Sequence, residues 1–448
     1  MVNGEWSIVK ENYNSCAVRI FICTGFFMLP SKTADINKLV DHLFRHESGK
    51  MVAVLTKLLG FENLETAQDI VQDTLLKAMT AWSFSNVPEN PAAWLYFVAK
   101  NKAVDFLRRE KSFRKFGVQF VQQEDANNVA DTQMQNLFLE NEIQDSQLRM
   151  MFACCHPQIP QESQIALSLK TLCGMGVHEI AHAFLTTDDT ITKRIYRAKE
   201  KIRNEKIALE VPSNTSLTER LETVLHTLYL LFNEGYNSTH TDKLIRDDLC
   251  EDAMRLCHLL IQNPITNQPA AKALLSLMCF QSSRLQSRVD DNGNIITLKY
   301  QDRVTWNRHL IQKGFDYLDE AAEGDHFSTY HLEAGIASLH AAAPSFERTD
   351  WKGVYHLYEI LYSLKPNPVI ALNKAIASAY AISMQVALDA LHQIKGLEKH
   401  HLYYATLGEI SLSLNKKQEA KNYFQQALGL TVSKSEQQLL HDKISNCN

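Results

Sequence analysis

The apolar positions of this chain follow a helical period from residue 35 onward. The first run consists of Ile36, Leu39, Val40, Leu43 and Phe44. Intervals of three and four residues place such a run on one face of a helix, which is predicted to end at Gly60. A second amphipathic stretch occupies residues 65–82, and a third follows a proline-containing turn at 92–111. The pattern predicts three helices that pack as a bundle over residues 35–111.

The remainder of the chain divides by composition and by period. Residues 112–141 are rich in Gln, Asn and Asp and carry no Lys or Arg after Lys115, which predicts a polar, acidic linker. Helical periodicity resumes over 142–207 and again over 217–448. The tract Asp-Asp-Asn-Gly-Asn at 290–294 is a strong turn signal and predicts a short hairpin with the residues that follow. Apart from that hairpin, the pattern predicts an all-α, multidomain protein.

Two stretches near the end of the chain repeat each other at an offset of 33 residues. The positions Ala375, Ala387, Leu391 and Ile394 correspond to Gly408, Ala420, Phe424 and Ala427. This order of small and aromatic residues is typical of tetratricopeptide (TPR)-like helical hairpins, in which small residues let paired helices approach closely. A looser third copy begins near Val354. We expect this helical-repeat surface to bind a peptide or a protein domain.

Composition places the chain among ordinary globular proteins and excludes several classes. Its 448 residues include 46 Lys plus Arg against 51 Asp plus Glu, a net charge of −5, which by itself does not suggest a nucleic-acid binder. Sixteen glycines and eleven prolines argue against collagen-like or turn-rich all-β architectures. Nine cysteines, with no Cys-x-x-Cys pair, indicate neither a disulfide framework nor a zinc ribbon. Buried thiols in a reducing cytosol are the expectation.

The beginning of the chain contains an apolar tract at 16–29, interrupted by Arg19. It is shorter than the ~20 residues that a membrane span requires. Acidic residues precede it and no signal-peptidase site follows, so it is not predicted to be a signal peptide. We interpret residues 1–34 as an N-terminal extension or a mis-assigned start, with Met28 as the expected initiator. A cytoplasmic protein without a membrane partner is predicted.

One string has the pattern of a zinc protease. It comprises His178, Glu179, Ile180, Ala181 and His182, and on a helix it would place two imidazoles and a carboxylate together. The longer zinc signature fails, because Leu185 stands where glycine is required and Asp188 where a third histidine is required. Residues 184–189 instead end a short helix and begin a basic one, which predicts a helix-turn-helix. We expect no metal, no other cofactor and no catalytic residue.

Positive charge is concentrated on two predicted helices. The second helix of the helix-turn-helix, with Asp188 or Asp189 expected as its N-cap, carries Lys193, Arg194, Arg197, Lys199, Lys201, Arg203 and Lys206. Its predicted inner stripe is Ile191, Ile195, Ala198 and Ile202. The third helix of the bundle carries seven basic residues between 100 and 115, together with Trp94, Tyr96 and Phe97. Aromatic rings beside basic residues suit stacking on unpaired bases, although these rings are also good core residues. Both helices are predicted to contact DNA.

Three strings resemble those of bacterial extracytoplasmic-function (ECF) RNA polymerase sigma factors. Residues 67–78 (AQDIVQDTLLKA) resemble the region 2.2 helix, which docks on the polymerase clamp. Residues 93–109 (AWLYFVAKNKAVDFLRR) resemble regions 2.3–2.4, which melt and read the −10 element, although Lys100 replaces a frequent Arg. Residues 179–198 resemble region 4.2, which reads the −35 element. The strings at 148–157, 231–236 and 301–306 are similar to a subgroup with a long C-terminal helical extension.

The resemblance implies a role for each part of the chain. Residues 35–111 would be sigma region 2, residues 142–207 region 4, and residues 217–448 a regulatory extension with TPR-like repeats. The residues implied for binding core RNA polymerase are Asp69, Gln72 and Asp73. Those implied for the −10 region of promoter DNA are Asn101, Lys102, Asp105, Arg108 and Arg109, and those for the −35 region are Thr192, Lys193, Arg194, Tyr196 and Arg197. A sigma factor of this kind initiates transcription by binding alone.

Two alternatives stay open from the sequence. A helix-turn-helix regulator with a TPR-like sensor, which does not act as a sigma subunit, would share the basic helices but would not need the acidic helix around Asp69. Within the extension, Asn233, Glu234, Asp302 and Trp306 would form either a ligand site or polar ties between helices.

Overall fold

A computed structural model describes residues 34–84, 87–109, 138–184, 186–212, 215–237, 245–290, 293–323 and 327–447. These ranges form eighteen α-helices joined by turns and short 3-10 helices, so the predicted all-α class is confirmed. The N-terminal extension and most of the predicted linker lie outside the described residues. Among the described residues, no helix is both long enough and apolar enough to cross a membrane.

The first three helices form a bundle, which we call the N-terminal bundle. They are α1 (Ala34–Leu59), α2 (Leu64–Phe84) and α3 (Pro91–Arg109). Between α1 and α2 the chain turns at Gly60 with φ of 91°, a conformation that side chains rarely adopt. Leu55, Ala67 and Leu95 are completely buried between the helices, and the Trp82 ring packs against Trp94 at 5.4 Å. This burial explains why the three apolar stripes are needed together.

The next four helices form a second unit, which packs directly on the first. They are α4 (Glu140–Cys154), α5 (Gln161–Leu172), α6 (Val177–Ala183) and α7 (Asp188–Glu205). Helix α1 crosses the end of α5 so closely that a Cβ atom on Gly49 would lie 2.1 Å from the Leu172 carbonyl oxygen. Lys57 of α1 also forms ion pairs of 2.8 Å with Glu142 and Asp145 of α4. The two units are therefore in direct contact through α1, α4 and α5.

The C-terminal extension begins with helices that continue the same core. Its helices are α8 (Thr215–Tyr236), α9 (Asp247–Gln262), α10 (Pro269–Ser282), α11 (Arg308–Ala321), α12 (Thr329–Ala342), α13 (Trp351–Leu364), α14 (Pro368–Ala381), α15 (Met384–His392), α16 (His401–Ser413), α17 (Lys417–Leu430) and α18 (Lys434–Ser445). A single cluster of buried apolar residues runs from Val40 of α1 to Ala341 of α12. Three smaller clusters of buried apolar residues form the cores between the helices from α12 to α18. The extension is thus anchored to both preceding units through α8–α12.

The two stretches related by the 33-residue offset each form a helical hairpin, α14 with α15 and α16 with α17. Ala375, Ala387 and Leu391 are buried within the first hairpin. In the second, a Cβ atom on Gly408 would lie 2.5 Å from the Phe424 ring, so only glycine allows this approach. The likeness to TPR proteins itself stays a prediction.

The hairpin predicted after residue 290 is present only as a turn closed by a single bridge. Val289 and Ile295 form one isolated antiparallel bridge around Gly293, whose φ is 80°. The chain then enters a 3-10 helix, Leu298–Tyr300, and the described residues contain no longer strand there. The chain does turn where the sequence indicated, but the bridge has no neighbouring strand to extend it.

Candidate nucleic-acid interface

Helix α2 presents an acidic stripe that continues into exposed apolar residues. Asp69, Gln72 and Asp73 are all exposed, and their spacing places them on one face. The same face continues with Leu76, which is 61% exposed, and Met79, which is 38% exposed. We call these five residues the α2 stripe. Acidic groups next to uncovered apolar side chains suit a protein surface that is partly basic and partly apolar.

The opposite face of α2 is buried and accounts for this exposure. Ile70, Val71, Leu75 and Ala78 all lie in the core. At about 100° per residue, Leu76 lies on the side of α2 opposite to these buried residues, so its side chain faces outward. The helical period of residues 65–82 could also have revealed that Leu76 and Met79, to which no role was assigned, are exposed.

Helix α3 presents one aromatic ring beside polar and basic residues. Phe97 is 62% exposed, and Asn101, Asp105 and Arg108 continue along the same face at helical spacing. Arg109 is exposed beside them. The interpretation of Phe97 as a core residue is therefore wrong, because Val98, Ala99, Ala103 and Leu107 already form the buried side of the helix. The exposed ring is free to stack on another flat group.

The other two aromatic residues of α3 that were considered for base stacking, Trp94 and Tyr96, are held by contacts within the protein. Trp94 is half-buried against Trp82. The Tyr96 ring stacks on Phe138 at 4.6 Å, and its hydroxyl donates a hydrogen bond to Glu47. Burial and the Glu47 carboxylate raise the pKa of Tyr96 well above its usual value, so the hydroxyl stays protonated. Only Phe97 among the three offers its ring to a partner.

The α2 stripe meets, at an ion pair, a surface of α3 that we call the α3 face and that consists of Phe97, Asn101, Lys102, Asp105, Arg108 and Arg109. Lys102 of α3 lies 3.1 Å from Asp73 of α2, and both side chains remain accessible to solvent. These two residues were predicted to bind different partners, DNA and polymerase. Because exposed ion pairs contribute at most about 1 kcal/mol, this pair is easily exchanged for contacts with either partner.

The second unit has a helix, a turn and a basic helix where the helix-turn-helix is predicted. Helix α7 is capped by Thr187, whose hydroxyl accepts a hydrogen bond from the Thr190 backbone N–H at 3.2 Å. The predicted caps, Asp188 and Asp189, are wrong by one or two residues. Thr187 has the extended backbone of a cap. Both aspartates already lie in the first turn, where their negative charge interacts favourably with the positive end of the helix dipole.

The residues predicted to contact the −35 region do not all point the same way. Thr192, Lys193, Tyr196 and Arg197 are exposed, and the Tyr196 side chain is 57% accessible. Arg194 is half-buried and forms an ion pair with Glu162 of α5. The predicted inner stripe of Ile191, Ile195, Ala198 and Ile202 is buried, as expected.

The far end of α7 contacts the N-terminal bundle. Lys199 and Arg203 lie 3.5 and 3.3 Å from the Glu65 carboxylate in the first turn of α2. The Lys199 side chain is only 16% exposed. Some of the basic residues that were predicted to contact DNA are therefore used here to hold the two units together.

Comparison with known proteins decides the family. Residues 43–113 match the family model for sigma-70 region 2, and residues 220–322 match a family of unknown function (DUF6596). An uncharacterised protein of Rhizobium meliloti is 32% identical over 390 residues, which cover 87% of this chain and 92% of that protein. The ECF RNA polymerase sigma-E factor of Haemophilus influenzae is 27% identical over 171 residues, 38% of this chain and 87% of its own length. The sigma factor SigV of Bacillus subtilis is 23% identical over 145 residues, 32% of this chain and 76% of its own length.

The region 2 match covers the helices that carry the α2 stripe and the α3 face. The chain belongs to the ECF sigma factors. It carries a long C-terminal extension, the first part of which matches the family of unknown function. No solved structure matches the chain.

In this sigma factor the zinc-protease string has structural contacts. Glu179 accepts a hydrogen bond from the Gly176 backbone N–H at 2.7 Å and forms an ion pair with Arg246 of the extension at 3.2 Å. His178 is paired with Asp188 at 3.2 Å. The His182 side chain lies outside what the structure describes. Within the described ranges, no three His, Cys, Asp or Glu residues are grouped as a metal site would require.

Two of the four residues considered for a ligand site in the extension, Asp302 and Trp306, also have structural contacts. Asp302 accepts a hydrogen bond from the Val304 backbone N–H at 2.9 Å and caps a 3-10 helix. Trp306 is buried, and the Arg303 guanidinium lies 4.9 Å from its ring centre. These contacts favour ties within the extension over a ligand site at this position.

Proposed function

We propose that this sigma factor binds core RNA polymerase and directs it to promoter DNA, and that its C-terminal extension regulates this activity. The observation that carries the proposal is the pair of adjacent exposed surfaces on one bundle, the α2 stripe and the α3 face. A protein that recruits polymerase and opens DNA needs both surfaces, and it needs them next to each other.

The α2 stripe would bind core polymerase. Asp69, Gln72 and Asp73 would supply polar and charged contacts, and Leu76 and Met79 would bury their exposed side chains in the interface. Apolar anchors surrounded by polar residues are the usual arrangement of a protein–protein contact. A DNA-binding regulator that does not recruit polymerase has no use for this uncovered stripe.

The α3 face would capture the −10 region as single strand. Stacking of one base on Phe97 would contribute about 1–3 kcal/mol, and Lys102, Arg108 and Arg109 would neutralise the neighbouring phosphates. Asn101 and Asp105 offer hydrogen-bonding groups to base edges. Opening of the duplex would then draw its free energy from binding of unpaired bases.

Helix α7 would read the −35 region through Thr192, Lys193, Tyr196 and Arg197. Arg194 would join them by exchanging Glu162 for a phosphate or a base edge. The exchange is inexpensive because the Glu162 side chain is itself largely exposed.

The packing of α7 on α2 would have to open on the promoter. The two promoter elements lie roughly 25 base pairs apart, which is about 85 Å of duplex at about 3.4 Å per base pair. The Glu65 ion pairs instead hold α7 against the bundle that carries the α3 face. This packed arrangement would therefore be a closed state of the free sigma factor.

The extension would regulate through its contacts with the second unit. Arg246 joins α6 through Glu179, and Arg255 of α9 donates a hydrogen bond to Gln147 of α4 at 3.2 Å. Arg220 of α8 donates another to the Phe152 carbonyl oxygen of α4. An element held this firmly to α4 and α6 would influence where α7 can move.

Transcription in vitro with purified core polymerase tests the proposal. The wild-type chain should initiate at specific promoters that core polymerase alone ignores. The double variant Asp69→Lys, Asp73→Lys should lose polymerase binding, measured by co-migration with core on size-exclusion chromatography. Asp389→Lys, a charge reversal at an exposed site on α15, is the matched control and should behave as wild type. DNA binding without polymerase binding by the wild type would instead favour the helix-turn-helix regulator.

A further inference from the structure

The C-terminal extension encloses a cavity that the proposed promoter recognition does not use. Its volume is about 560 Å³, which is within the range of small-molecule sites. It lies between the end of α10 with the loop that follows, helix α12, and the repeat helices α13, α14, α16 and α18. The lining residues that give the cavity its chemical character are Arg284, Glu333, His340, Trp351, Tyr380 and Ala405.

One wall of the cavity is aromatic and rigidly held. The Trp351 ring stacks on Tyr380 with centroids 4.5 Å apart, and Phe346 packs edge-on against both rings at 4.9 and 5.0 Å. The Trp351 indole N–H donates a hydrogen bond to the Phe346 carbonyl oxygen at 3.1 Å, which fixes the ring. A wall of this kind favours a flat apolar body.

The polar end of the cavity carries the cation of Arg284, which pairs with no carboxylate among the described residues. The Arg284 guanidinium donates two hydrogen bonds to the Gln281 side-chain oxygen, at 2.8 and 3.3 Å, and lies 5.4 Å from the Tyr236 ring centre. Within the described residues, the only side chain that accepts from it is this neutral amide. Its positive charge is therefore available to an anion.

A histidine beside this cation adds an unused hydrogen-bonding atom. The His340 ring lies 5.2 Å from Trp351, and its Nδ1 atom is buried without a hydrogen-bond partner in the described structure. Burial and the nearby Arg284 and Arg303 guanidinium groups lower the pKa of His340 to about 3, so the imidazole is neutral. Buried polar atoms without partners are uncommon in folded proteins, and a ligand is one way to satisfy them.

The acidic residues of the cavity are already engaged. Glu333 accepts a hydrogen bond from the Tyr229 hydroxyl at 2.9 Å, and burial raises the pKa of its carboxyl group. Glu409 is paired with Lys443 at 2.7 Å. Neither carboxylate neutralises Arg284, so the cavity favours a negatively charged ligand over a cation.

We infer that this cavity binds a small organic carboxylate with an aromatic or similarly flat apolar body. The carboxylate would pair with Arg284, and the apolar body would lie against Trp351 and Tyr380. The size of the cavity suits a metabolite-sized molecule. No cofactor or catalytic step is involved.

Binding at Arg284 would reach the second unit through a short series of contacts. Arg284 lies on the Tyr236 ring at the end of α8, and the adjacent Gly235 carbonyl oxygen accepts a hydrogen bond from the Arg246 backbone N–H at 2.8 Å. Arg246 in turn pairs with Glu179 of α6. This consequence rests on the proposed function, whereas binding of the carboxylate does not.

Titration of the full chain with 8-anilinonaphthalene-1-sulfonate tests the site, because this probe joins a flat aromatic body to an anion. One saturable site with enhanced fluorescence is expected. Arg284→Gln should weaken the affinity at least tenfold, while Arg348→Gln, at an exposed arginine of the same extension, should leave it unchanged. The neutral analogue N-phenyl-1-naphthylamine should bind wild type, Arg284→Gln and Arg348→Gln with equal affinity. Equal binding of the anionic probe to wild type and Arg284→Gln would overturn the inference.

A second variant guards against a folding defect at Arg284. Ala405→Trp should fill the cavity and reduce binding of both probes, with circular dichroism used to show that the helices are retained. Displacement of the anionic probe by phenylacetate supports the carboxylate, and displacement by phenyl phosphate alone would overturn that assignment. The titration contains neither polymerase nor DNA, so its failure would leave the proposed function standing.

Discussion

Helices α3 and α7 were both predicted to bind DNA from the same signal, a high density of basic residues, yet the structure uses them differently. On α3, Phe97, Arg108 and Arg109 are all exposed. On α7, Lys199 and Arg203 are engaged by Glu65, while Arg197 remains exposed. Among the described basic residues of α3, only Lys102 is paired with a neighbouring helix, through an exposed contact with Asp73, whereas α7 divides its charges between solvent and the N-terminal bundle.

This difference teaches that charge density predicts a binding helix but not how its charges are shared among partners. The contacts that engage α7 also join the second unit to the N-terminal bundle. If the closed state is the resting form, changes at this junction should affect α7 strongly and the α3 face weakly. Substitutions at the junction and on each helix can test that division.

The substitution Gly49→Ala should have the largest effect, because it acts on the junction itself. The added Cβ would meet the Leu172 carbonyl oxygen at 2.1 Å, and neither backbone can yield without moving a helix. Such overpacking should lower the free energy of unfolding by about 3 kcal/mol. Urea denaturation followed by circular dichroism measures this change.

Gly429→Ala is the matched control for Gly49→Ala. Gly429 lies in helix α17, and a Cβ atom added there would have no neighbouring atom within 4 Å, so alanine should stabilise that helix slightly. Equal stability of the two variants would show that the close approach of α1 and α5 is not a constraint in solution.

Phe97→Ala tests the open helix and should have the next largest effect. Loss of one stacked base should cost about 1–2 kcal/mol, which corresponds to roughly a 5- to 30-fold reduction in open complex formation. Folding stability should hardly change, since the ring is exposed. Permanganate reactivity of unpaired thymines in the promoter reports the opening. Phe327→Ala, at an exposed phenylalanine of the extension, is the control and should open the promoter normally.

The sequence predicts the class of the fold and the location of the exposed faces better than it predicts contacts. Apolar periodicity gives the three helices of the bundle, and Ile191, Ile195, Ala198 and Ile202 are buried as it requires. The N-cap of α7 was assigned to the wrong residue, because Thr187 and the two aspartates that follow are all good caps. Only backbone geometry separates them.

Contacts between distant parts of the chain could not be predicted from one sequence. Nothing local indicates that Glu65 pairs with Lys199, or that Arg246 reaches Glu179, since these pairs depend on how the units pack. The cavity of the extension could not be predicted for the same reason, because it forms only when distant parts of the chain pack together. Its wall joins Arg284 from the turn after α10, His340 from α12 and Tyr380 from α14, and no spacing along the chain connects them.

Glu65→Gln tests the engaged end of α7 and should have a smaller effect. It removes one partly buried and one exposed ion pair, together worth about 1 kcal/mol, and frees Lys199 and Arg203. We expect up to about fivefold tighter binding of the free sigma factor to duplex DNA, with a steeper dependence on salt because more phosphates are contacted. Fluorescence anisotropy over a range of salt concentrations measures both. Glu62→Gln, at an exposed neighbour, should leave both unchanged.

The smallest expected effect is the response of the same junction to pH. Burial opposes ionisation of Asp145, but hydrogen bonds from Arg149 and Lys57, each 2.8 Å long, outweigh it and hold the pKa of this carboxyl below its usual range. The unfolded chain therefore binds a proton at higher pH than the folded one does. The resulting stability is complete above the usual carboxyl pKa of about 4 and is lost as the pH falls through the lowered value.

Asp145→Asn isolates this contribution, because asparagine cannot ionise. Other carboxylates also titrate in acid, so the quantity to compare is the difference in urea midpoint between wild type and variant at each pH. That difference should favour wild type at neutral pH and shrink below the usual carboxyl range. A difference that is constant with pH would mean that Asp145 does not sense the Lys57 contact between α1 and α4. The junction would then rest on the Gly49 packing and on the ion pairs of Glu142 and Glu65, with no contribution from the charge of Asp145.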